Sequence, residues 1–211
     1  PTGVVGLINV SAVSAGGFFS LALKNDGTVW AWGKNDVGQL GNGTTTNSLV
    51  PVQVKGQGGV GNLGGVVAIS AGEFFSVALK SDGSVWAWGL NDVGELGNGT
   101  TTNSLVPVQV NLAGVVVAIS AGEAHSLALL NDGTVWAWGD NYSGQLGQGD
   151  QTSRYVPVQV AGLLGIANVA AGSGFSIACK SDGTVLAWGY NSDGQLGNGT
   201  TVDTNRPVQV L

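Results

Sequence analysis

The stretch VWAWGKNDVGQLGNGTTTNSLVPVQV, residues 29–54, returns with small changes from residues 85, 135 and 185 onward. The glycines of the Asp-Gly pairs just before each copy mark the period: Gly27, Gly83, Gly133 and Gly183. Their spacings are 56, 50 and 50 residues, and the extra six residues fall around KGQGGVGNLGG, residues 55–65. Internal similarity at a fixed period of this size is typical of repeat folds, so the fold is decided by one unit and its neighbours.

One unit, residues 66–110, contains four strand-like pieces: VVAIS, FSVALK, SVWAWG and VPVQV. Each is rich in β-branched or aromatic residues and is bounded by turn residues. The second and third pieces are joined by SDGS, and an Asp-Gly pair between apolar runs predicts a tight hairpin because glycine tolerates positive φ. The third piece leads into LNDVGELGNGTTTNS, a glycine-rich run that indicates a compact loop. Four short strands per unit follow, with no helical periodicity.

A unit of about 50 residues with four strands cannot bury both faces of its sheet alone, so neighbouring units have to stack on it. Stacking around an axis gives a β-propeller, whose blades are four-stranded sheets. A β-solenoid is the alternative, although its coils are usually shorter than this period. We therefore predict an all-β chain of four propeller blades, each of four antiparallel strands, arranged as an open arc or as part of a larger propeller or assembly.

The predicted organisation is a single repeat domain over residues 1–211. Residues 1–4 are expected to end a preceding repeat, followed by repeats at 5–54, 55–110 with the insertion near 55–65, 111–160 and 161–211. PTGV at residues 1–4 and PVQV at residues 207–210 would compete for one strand position in a closed four-blade ring. Open strand edges are templates for further pairing, so a longer array or pairing with copies of the chain is expected.

The third unit also carries a family resemblance. Its string GEAHSLALLNDGTVWAWGDNYSGQLGQG, residues 122–149, resembles the repeat of the regulator of chromosome condensation family, and the resemblance extends over nearly the whole chain, four times over. It implies a β-propeller, although members typically have seven blades and this chain has four units. The family's histidine is present as His125 and is replaced by phenylalanine in the other three units, at Phe19, Phe75 and Phe175.

The composition excludes several classes of function. Charged residues make up 9% of the chain, against about 25% in typical soluble domains, and the 7 basic residues occur singly among 13 acidic ones. No basic stripe is available to bind nucleic acid or an anionic membrane surface, and no apolar run reaches the 18 or so residues of a spanning helix. The low charge and the many Thr, Asn and Gly residues favour an extracellular or cell-surface location over a cytoplasmic one. A single cysteine, Cys179, leaves the redox compartment undecided.

The tryptophans occur in pairs two residues apart, so both rings of a pair point to the same face of their strand. A sugar-stacking platform is one interpretation, and packing of blade against blade is the favoured one, because Leu186 replaces the first tryptophan of the fourth pair and an aliphatic side chain preserves only burial. The predicted structural core positions are Trp30, Trp32, Trp86, Trp88, Trp136, Trp138 and Trp188.

No catalytic residue, metal site or cofactor is predicted. Neither His125 nor Cys179 has the partners that a nucleophile or a metal site needs. The family resemblance implies a structural hydrogen bond for His125, and Cys179 is expected to be a buried small hydrophobe because it occupies the position of Leu23, Leu79 and Leu129. Four aspartates precede the hairpin glycines and belong to those turns: Asp26, Asp82, Asp132 and Asp182. Seven other carboxylates are expected to be solvated loop charges, including Glu95. The loops lack the acid spacing of a calcium loop, and their glycine runs precede no helix that could hold a phosphate.

Function is sought at positions that differ between units, since the repeated ones build the fold. The predicted binding surface consists of Lys34, Asp140, Tyr142, Tyr155 and Tyr190. We predict a noncatalytic, secreted prokaryotic scaffold for protein–protein interaction or self-assembly into a homo-oligomer. A secreted adhesin that binds glycans, or a module resembling hydrolase inhibitors, is the alternative. The family resemblance further implies guanine-nucleotide exchange on a small GTPase as a third alternative.

Overall fold

The computed structural model describes residues 6–211 and confirms the predicted fold class: each repeat forms one sheet of four antiparallel strands. Sheet 1 contains β1 (Val10–Ala15), β2 (Phe19–Lys24), β3 (Val29–Gly33) and β4 (Ser48–Gln53). Sheet 2 contains β5 (Val66–Ala71), β6 (Phe75–Lys80), β7 (Val85–Gly89) and β8 (Ser104–Gln109). Sheet 3 contains β9 (Val116–Ala121), β10 (His125–Leu130), β11 (Val135–Gly139) and β12 (Arg154–Gln159). Sheet 4 contains β13 (Ile166–Ala171), β14 (Phe175–Lys180), β15 (Val185–Gly189) and β16 (Thr204–Gln209). The segment predicted to end a preceding repeat, residues 1–4, lies outside the described residues.

Within each sheet the strands follow one another in chain order, and the Asp-Gly turns connect the second strand to the third. In the first of these turns Gly27 has a φ of +77°, and Asp26 Oδ1 accepts hydrogen bonds from Thr28 N at 3.0 Å and Thr28 Oγ1 at 2.6 Å. These hydrogen bonds lower the pKa of the Asp26 carboxyl, and the same arrangement recurs in the other three sheets. The turn chemistry therefore fixes the hairpin register, as the sequence predicted.

The insertion in the second repeat folds back on itself. Lys55 pairs with Asn62 in a short antiparallel bridge around a 3-10 turn at Gln57–Gly59. Leu63 is buried in the first hydrophobic core, so this longer connection is anchored to the sheets that it joins.

The hydrophobic cores lie between consecutive sheets. In the first junction Phe19, Leu21 and Leu23 of sheet 1 pack against Ala78 and Trp88 of sheet 2. The second and third junctions repeat this arrangement with the corresponding residues of sheets 2, 3 and 4. Three cores for four sheets follow from the geometry, since each sheet presents one face to its predecessor and the other to its successor.

The four sheets form an open arc, because sheet 4 does not pack against sheet 1 within residues 6–211. On sheet 4 the face that has no neighbouring sheet carries Phe175, Ile177 and Cys179, which are only partly buried. On sheet 1 the opposite face is open, and Val13 is 74% exposed, whereas its counterpart Val169 is 8% exposed. Cys179 was predicted to be buried; it is less so because its side of the arc is uncovered.

Candidate functional site

One end of the arc carries several of the positions that differ between repeats, including those of Lys34, Leu90, Asp140 and Tyr190. Two sets of segments meet there: the turns between the first and second strands (16–18, 72–74, 122–124, 172–174) and the loops that follow the third strands (34–39, 90–95, 140–145, 190–195). A backbone hydrogen bond joins the two sets in each sheet, as from Lys34 N to Phe18 O at 2.9 Å and from Tyr190 N to Gly174 O at 2.9 Å. We call this end the turn face.

A row of backbone hydrogen bonds links the sheets around the centre of the turn face. Gly17 N donates to Glu73 O at 3.1 Å, Glu73 N to Glu123 O at 3.0 Å, and Glu123 N to Ser173 O at 3.3 Å. A second row uses side chains: the hydroxyls of Ser14, Ser70 and Ser120 each accept a hydrogen bond from the next sheet. The relative positions of neighbouring loops on the turn face are therefore fixed by main-chain geometry.

The second tryptophan of each pair reaches across to the preceding repeat. Trp88 Nε1 donates to Gln39 O at 3.0 Å, Trp138 Nε1 to Glu95 O at 2.8 Å, and both indoles are fully buried. Trp188 repeats this contact with Gln145 O. Trp32, on the open face of sheet 1, is only partly buried. The first tryptophans, Trp30, Trp86 and Trp136, instead donate to the hydroxyl groups of their own hairpin turns.

A buried asparagine organises each loop, and sequence reasoning missed it. Asn35 is fully buried; its Nδ2 donates to Thr44 O at 2.8 Å and Thr46 O at 3.0 Å, and its Oδ1 accepts from Leu40 N at 3.0 Å. The same residue recurs as Asn91, Asn141 and Asn191. The available signal was its identity in all four units, two residues after each Trp-Gly.

A glutamine or glutamate sits below each loop, four residues after that asparagine; Gln39, Glu95 and Gln145 are buried, whereas Gln195 of the fourth repeat is half-buried. Gln145 Oε1 accepts from Ser143 N at 2.9 Å, and its Nε2 donates to Asp140 Oδ2 at 2.7 Å. Gln39 Oε1 accepts from Val37 N at 3.1 Å in the same way. Lys34 occupies the position of Asp140, however, and the buried Gln39 Nε2 has no acceptor among residues 6–211.

Glu95 occupies this glutamine position in the second repeat, and the prediction that it is a solvated loop charge is wrong. Its side chain is 1% exposed, and its Oε2 accepts a hydrogen bond from Val93 N at 3.0 Å. Burial raises the pKa of the Glu95 carboxyl, and hydrogen bonds from the backbone partly oppose that shift. The repeat geometry, which places this residue under the loop, overrides the usual preference of glutamate for water.

Two grooves of the turn face lie between sheets. The groove between sheets 1 and 2 has a volume of about 250 Å³, and the one between sheets 3 and 4 about 260 Å³. Lys34 lines the first, with Asp36, Val37, Gln39, Phe74 and Leu90. Asp140 and Tyr190 line the second, with Glu123, Ser143, Gln145 and Ser173.

The predicted binding residues therefore do not form a single site. Asp140 and Tyr190 share a groove, Lys34 lies in another, and Tyr142 is an exposed loop residue of the turn face, 81% accessible. Tyr155 lies on β12 at the outer rim, where its carbonyl accepts a hydrogen bond from Gly99 N at 2.8 Å.

An aromatic pair adjoins Lys34. The rings of Phe18 and Phe74 stack with their centroids 5.8 Å apart, and Lys34 Nζ lies 5.5 Å and 5.3 Å from the two centroids. The ammonium also lies 3.2 Å from Asp36 Oδ2. Phe18 is 62% exposed, so apolar surface and a cation are presented together at this point.

The turn face carries the whole formal net charge of the chain, which is −6. Lys34 is its one basic residue, against seven acidic ones: Asp36, Glu73, Asp92, Glu95, Glu123, Asp140 and Asp193. The opposite end balances four aspartates of the hairpin turns with Lys24, Lys55, Lys80 and Lys180. The remaining charges, Asp150 and Asp203 with Arg154 and Arg206, also cancel. An electrostatic field of one sign therefore arises from one end of the arc.

His125 has a structural environment. It is fully buried, and its Nε2 lies 3.0 Å from Ser176 Oγ, which itself donates to Gln145 O at 2.8 Å. Because that hydroxyl proton is already used, Nε2 carries the imidazole proton and donates to Ser176. Burial lowers the pKa of His125 to about 4, so the ring is neutral at physiological pH.

Chemistry-bearing groups are sparse in the described part of the chain. Among residues 6–211 no three His, Cys, Asp or Glu side chains are grouped so as to hold a metal ion. No helix within the same residues has the length and apolar character needed to cross a bilayer. What the turn face offers is grooves, aromatic rings and charge, which are means of recognition.

The radial stacking of four-stranded sheets and the grooves between them define a β-propeller repeat module. The family model described as RCC1-like domain matches residues 1–211. The chain belongs to the RCC1-like domain family, as the sequence resemblance predicted.

Relatives and solved structures agree with this assignment. Over 101 residues the chain is 40% identical to the human E3 ubiquitin-protein ligase HERC2, a match covering 48% of this chain and 2% of that protein. It is 35% identical over 107 residues to the ultraviolet-B receptor UVR8 of Arabidopsis thaliana, covering 51% of this chain and 23% of that one. The structure of Prp20p from Saccharomyces cerevisiae superposes with a TM-score of 0.85 at 26% identity, over 99% of this chain and 52% of that one. The chain thus spans about half the length of this solved propeller and less of the curated relatives.

Proposed function

We propose that the chain is a noncatalytic β-propeller module that binds a protein partner through the turn face. The observation that carries this proposal is the charge distribution, which places a formal charge of −6 on the turn face and balances the charges elsewhere. Exposed aromatic side chains lie on the same face, with Phe18 at 62%, Tyr142 at 81% and Tyr190 at 37% exposure. Aromatic rings supply contact area and complementary charge speeds and orients association.

The family supports a role in protein binding. A structure of yeast RCC1 (Prp20) is described as bound to Kap60, and another is described with its binding to Gsp1p and histones. These partners are properties of that protein. For this chain, the acidic turn face favours a partner with a positively charged surface, whose association slows as salt screens the charges.

The test compares two faces of the same molecule. Partners captured by the wild-type chain are compared with those captured by a turn-face variant, Tyr142→Ala with Tyr190→Ala, and by a matched variant of the opposite end, Lys80→Ala with Lys180→Ala. We expect a captured partner to be lost with the turn-face variant, kept with the opposite variant, and bound more weakly at 0.5 M salt. A partner that survives the turn-face changes and is lost with the lysine changes would overturn the proposal.

Self-association is a second candidate, favoured by the chemistry of the two open sheet faces. At the internal junctions Gly99 N donates to Tyr155 O at 2.8 Å and Gly149 N donates to Asn205 O at 2.8 Å. Gly199 of sheet 4 holds the corresponding donor position and Leu49 of sheet 1, 98% exposed, the corresponding acceptor position. Sheet 4 of one copy can therefore receive sheet 1 of another in a head-to-tail contact, which generates rings or open chains.

Sizing and electron microscopy of the 211-residue chain test this second candidate. Association is expected for the wild type and is expected to be lost in Val13→Asp, which puts a charge on the open face of sheet 1. Val60→Asp is the matched control, because Val60 is 80% exposed on the insertion, away from that face. A monomeric wild type, or equal association of the two variants, would exclude it.

The location outside the cell remains a proposal that rests on composition, namely 9% charged residues and an excess of polar uncharged ones. Protease digestion of intact cells that express the tagged chain would test it. Cleavage of the tag without cell lysis is the expected result, and protection of the tag until lysis would exclude it.

A further inference from the structure

The groove between sheets 1 and 2 contains a buried hydrogen-bond donor that the chain does not use. Gln39 is fully buried and lines this groove, and its Nε2 has no acceptor among residues 6–211. A buried donor without a partner costs free energy, so the arrangement calls for an explanation in terms of what the donor is there to bind.

The equivalent groove between sheets 3 and 4 shows where that donor points. Gln39 and Gln145 are held alike, each accepting from the backbone nitrogen two residues earlier, Val37 N and Ser143 N. In the third repeat the Nε2 of Gln145 then meets the carboxylate of Asp140 at 2.7 Å, in the wall of its groove. The first repeat has Lys34 where the third has Asp140, so the internal carboxylate is missing and a cation stands in its place.

The other residues that line the groove supply a cation and an apolar surface beside the unused donor. Lys34 is the only basic residue of the turn face, and its exposed contact with Asp36 is of the kind that contributes little and is easily exchanged. Phe74, Leu90 and Val37 give the groove an apolar lining. We propose that this groove binds a carboxylate carried on an apolar body, with the carboxylate accepting hydrogen bonds from Gln39 Nε2 and Lys34 Nζ while the body packs on Phe74 and Leu90.

The acidic surroundings make such a site selective. The six excess negative charges of the turn face repel anions from the rest of that face. An acidic group therefore binds favourably only where Lys34 and Gln39 contact it. This inference rests on the proposed function: the ligand is an aspartate or glutamate side chain that lies beside a hydrophobic residue of the partner. Its binding fixes the register of a partner that is otherwise basic. A free organic acid has the same chemistry, and comparison of a peptide with a free acid as probes distinguishes the two sources.

The experiment is an NMR titration that follows the side-chain amide signals of Gln39, with those of Gln145 as internal reference. The probes are the peptide acetyl-Leu-Asp-Leu-amide, its neutral analogue acetyl-Leu-Asn-Leu-amide, and phenylacetate. We expect saturable shifts of the Gln39 signals with the aspartyl peptide and no shift of the Gln145 signals. The asparaginyl peptide should bind at least about tenfold more weakly than the aspartyl peptide. Tighter binding of the peptide than of phenylacetate identifies a protein ligand, and the reverse order identifies a free acid.

Two charge exchanges between repeats provide the matched variants. Lys34→Asp copies the third repeat into the first; it should give Gln39 an internal acceptor and weaken the aspartyl peptide by at least about tenfold. Asp140→Lys copies the first repeat into the third; it should release Gln145 and make its side-chain amide respond to the peptide. Thermal unfolding verifies that each variant is folded, and Lys34→Gln replaces Lys34→Asp if that variant does not fold.

The proposal is overturned if the Gln39 signals do not shift with either acid, if the asparaginyl peptide binds equally well, or if Lys34→Asp keeps the affinity of the wild type. None of these outcomes depends on finding a protein partner. A failed partner capture with a positive titration would contradict the proposed function alone, and a negative titration with a captured partner would contradict this site alone.

Discussion

The two inner sheets and the two end sheets have nearly the same sequence and different surroundings. Sheets 2 and 3 are packed on both faces, whereas sheets 1 and 4 each have one face without a neighbouring sheet in the described residues. The consequence is visible in single side chains: Trp138 is fully buried, whereas the equivalent Trp32 is partly exposed. Burial in this fold is a property of the junction between two repeats. Identical motifs therefore contribute differently to the free energy of unfolding, according to their position in the arc.

The largest expected effect comes from the tryptophan that crosses a junction. Trp138→Ala removes a fully buried indole and its 2.8 Å hydrogen bond to Glu95 O, and should lower the free energy of unfolding by about 3–5 kcal/mol. Trp32→Ala, the matched change on the open face, should cost less than half as much. Urea unfolding followed by circular dichroism measures both, and equal losses would mean that the open face is in fact covered in solution.

A pH-dependent effect distinguishes the third junction from the other two. Burial lowers the pKa of His125 to about 4 from a usual value near 6.5, so the unfolded chain binds the proton more tightly. Protonation of His125 therefore disfavours the fold: relative to pH 7, stability is lost as the pH falls from about 6.5 towards 4, by about 3 kcal/mol.

His125→Phe copies the other three repeats and should remove this component of the pH dependence. Denaturation midpoints at pH 7 and pH 4.5 measure the difference, with Tyr142→Ala as a control for exposed changes. A variant whose stability falls between these pH values as steeply as that of the wild type would contradict the assignment.

A smaller effect is expected at the hydroxyl acceptors between sheets. Ser120 Oγ accepts from Ala171 N at 2.9 Å, and Ser120→Ala should cost about 1 kcal/mol because the amide then lacks its partner. Sheet 4 has Ala170 at the same position, facing the open side, so Ala170→Ser should leave the stability of the monomer unchanged. Thermal melting of both variants provides the comparison. Any gain in stability from Ala170→Ser that grows with protein concentration would point to association through this face.

The last comparison is a reciprocal exchange near the ends of the second strands, in which the change on the end sheet is the smallest effect expected. Cys179 of sheet 4 corresponds to Leu79 of sheet 2, which is 3% exposed. Cys179→Leu should change stability by no more than about 0.5 kcal/mol, and Leu79→Cys should cost about 1–3 kcal/mol because it leaves a cavity in a closed core. Calorimetry on the two single variants tests this, and losses of similar size would contradict the difference between inner and end sheets.

Local structure followed closely from the sequence. The Asp-Gly hairpins were predictable because turn type depends on glycine conformation and aspartate hydrogen bonds, both of which are local. The pairing of four strands per repeat and their stacking followed from the period and the apolar pattern. The turns and the strand pairing depend on residues close together in the chain, and the stacking follows from the regular period of the repeats.

The site was less predictable, because it depends on contacts between repeats. Glu95 was expected in solvent because its position varies between units, and it is buried because its loop covers it. The unused donor of Gln39 beside Lys34 is recognised only by comparison with Gln145 and Asp140. The hydrogen bond between those two side chains is visible only in the structure. Variation between units led to Lys34, Asp140 and Tyr190, which the structure places on the turn face, but it could not separate the two grooves or place Tyr155 at the rim.

The row of main-chain hydrogen bonds from Gly17 through Glu73 and Glu123 to Ser173 has a consequence for evolution. Because peptide groups supply both donor and acceptor, any repeat can follow any other without compensating substitutions at these bonds. Gene duplication can thus lengthen or shorten such an array one blade at a time, leaving each loop tip free to acquire its own specificity.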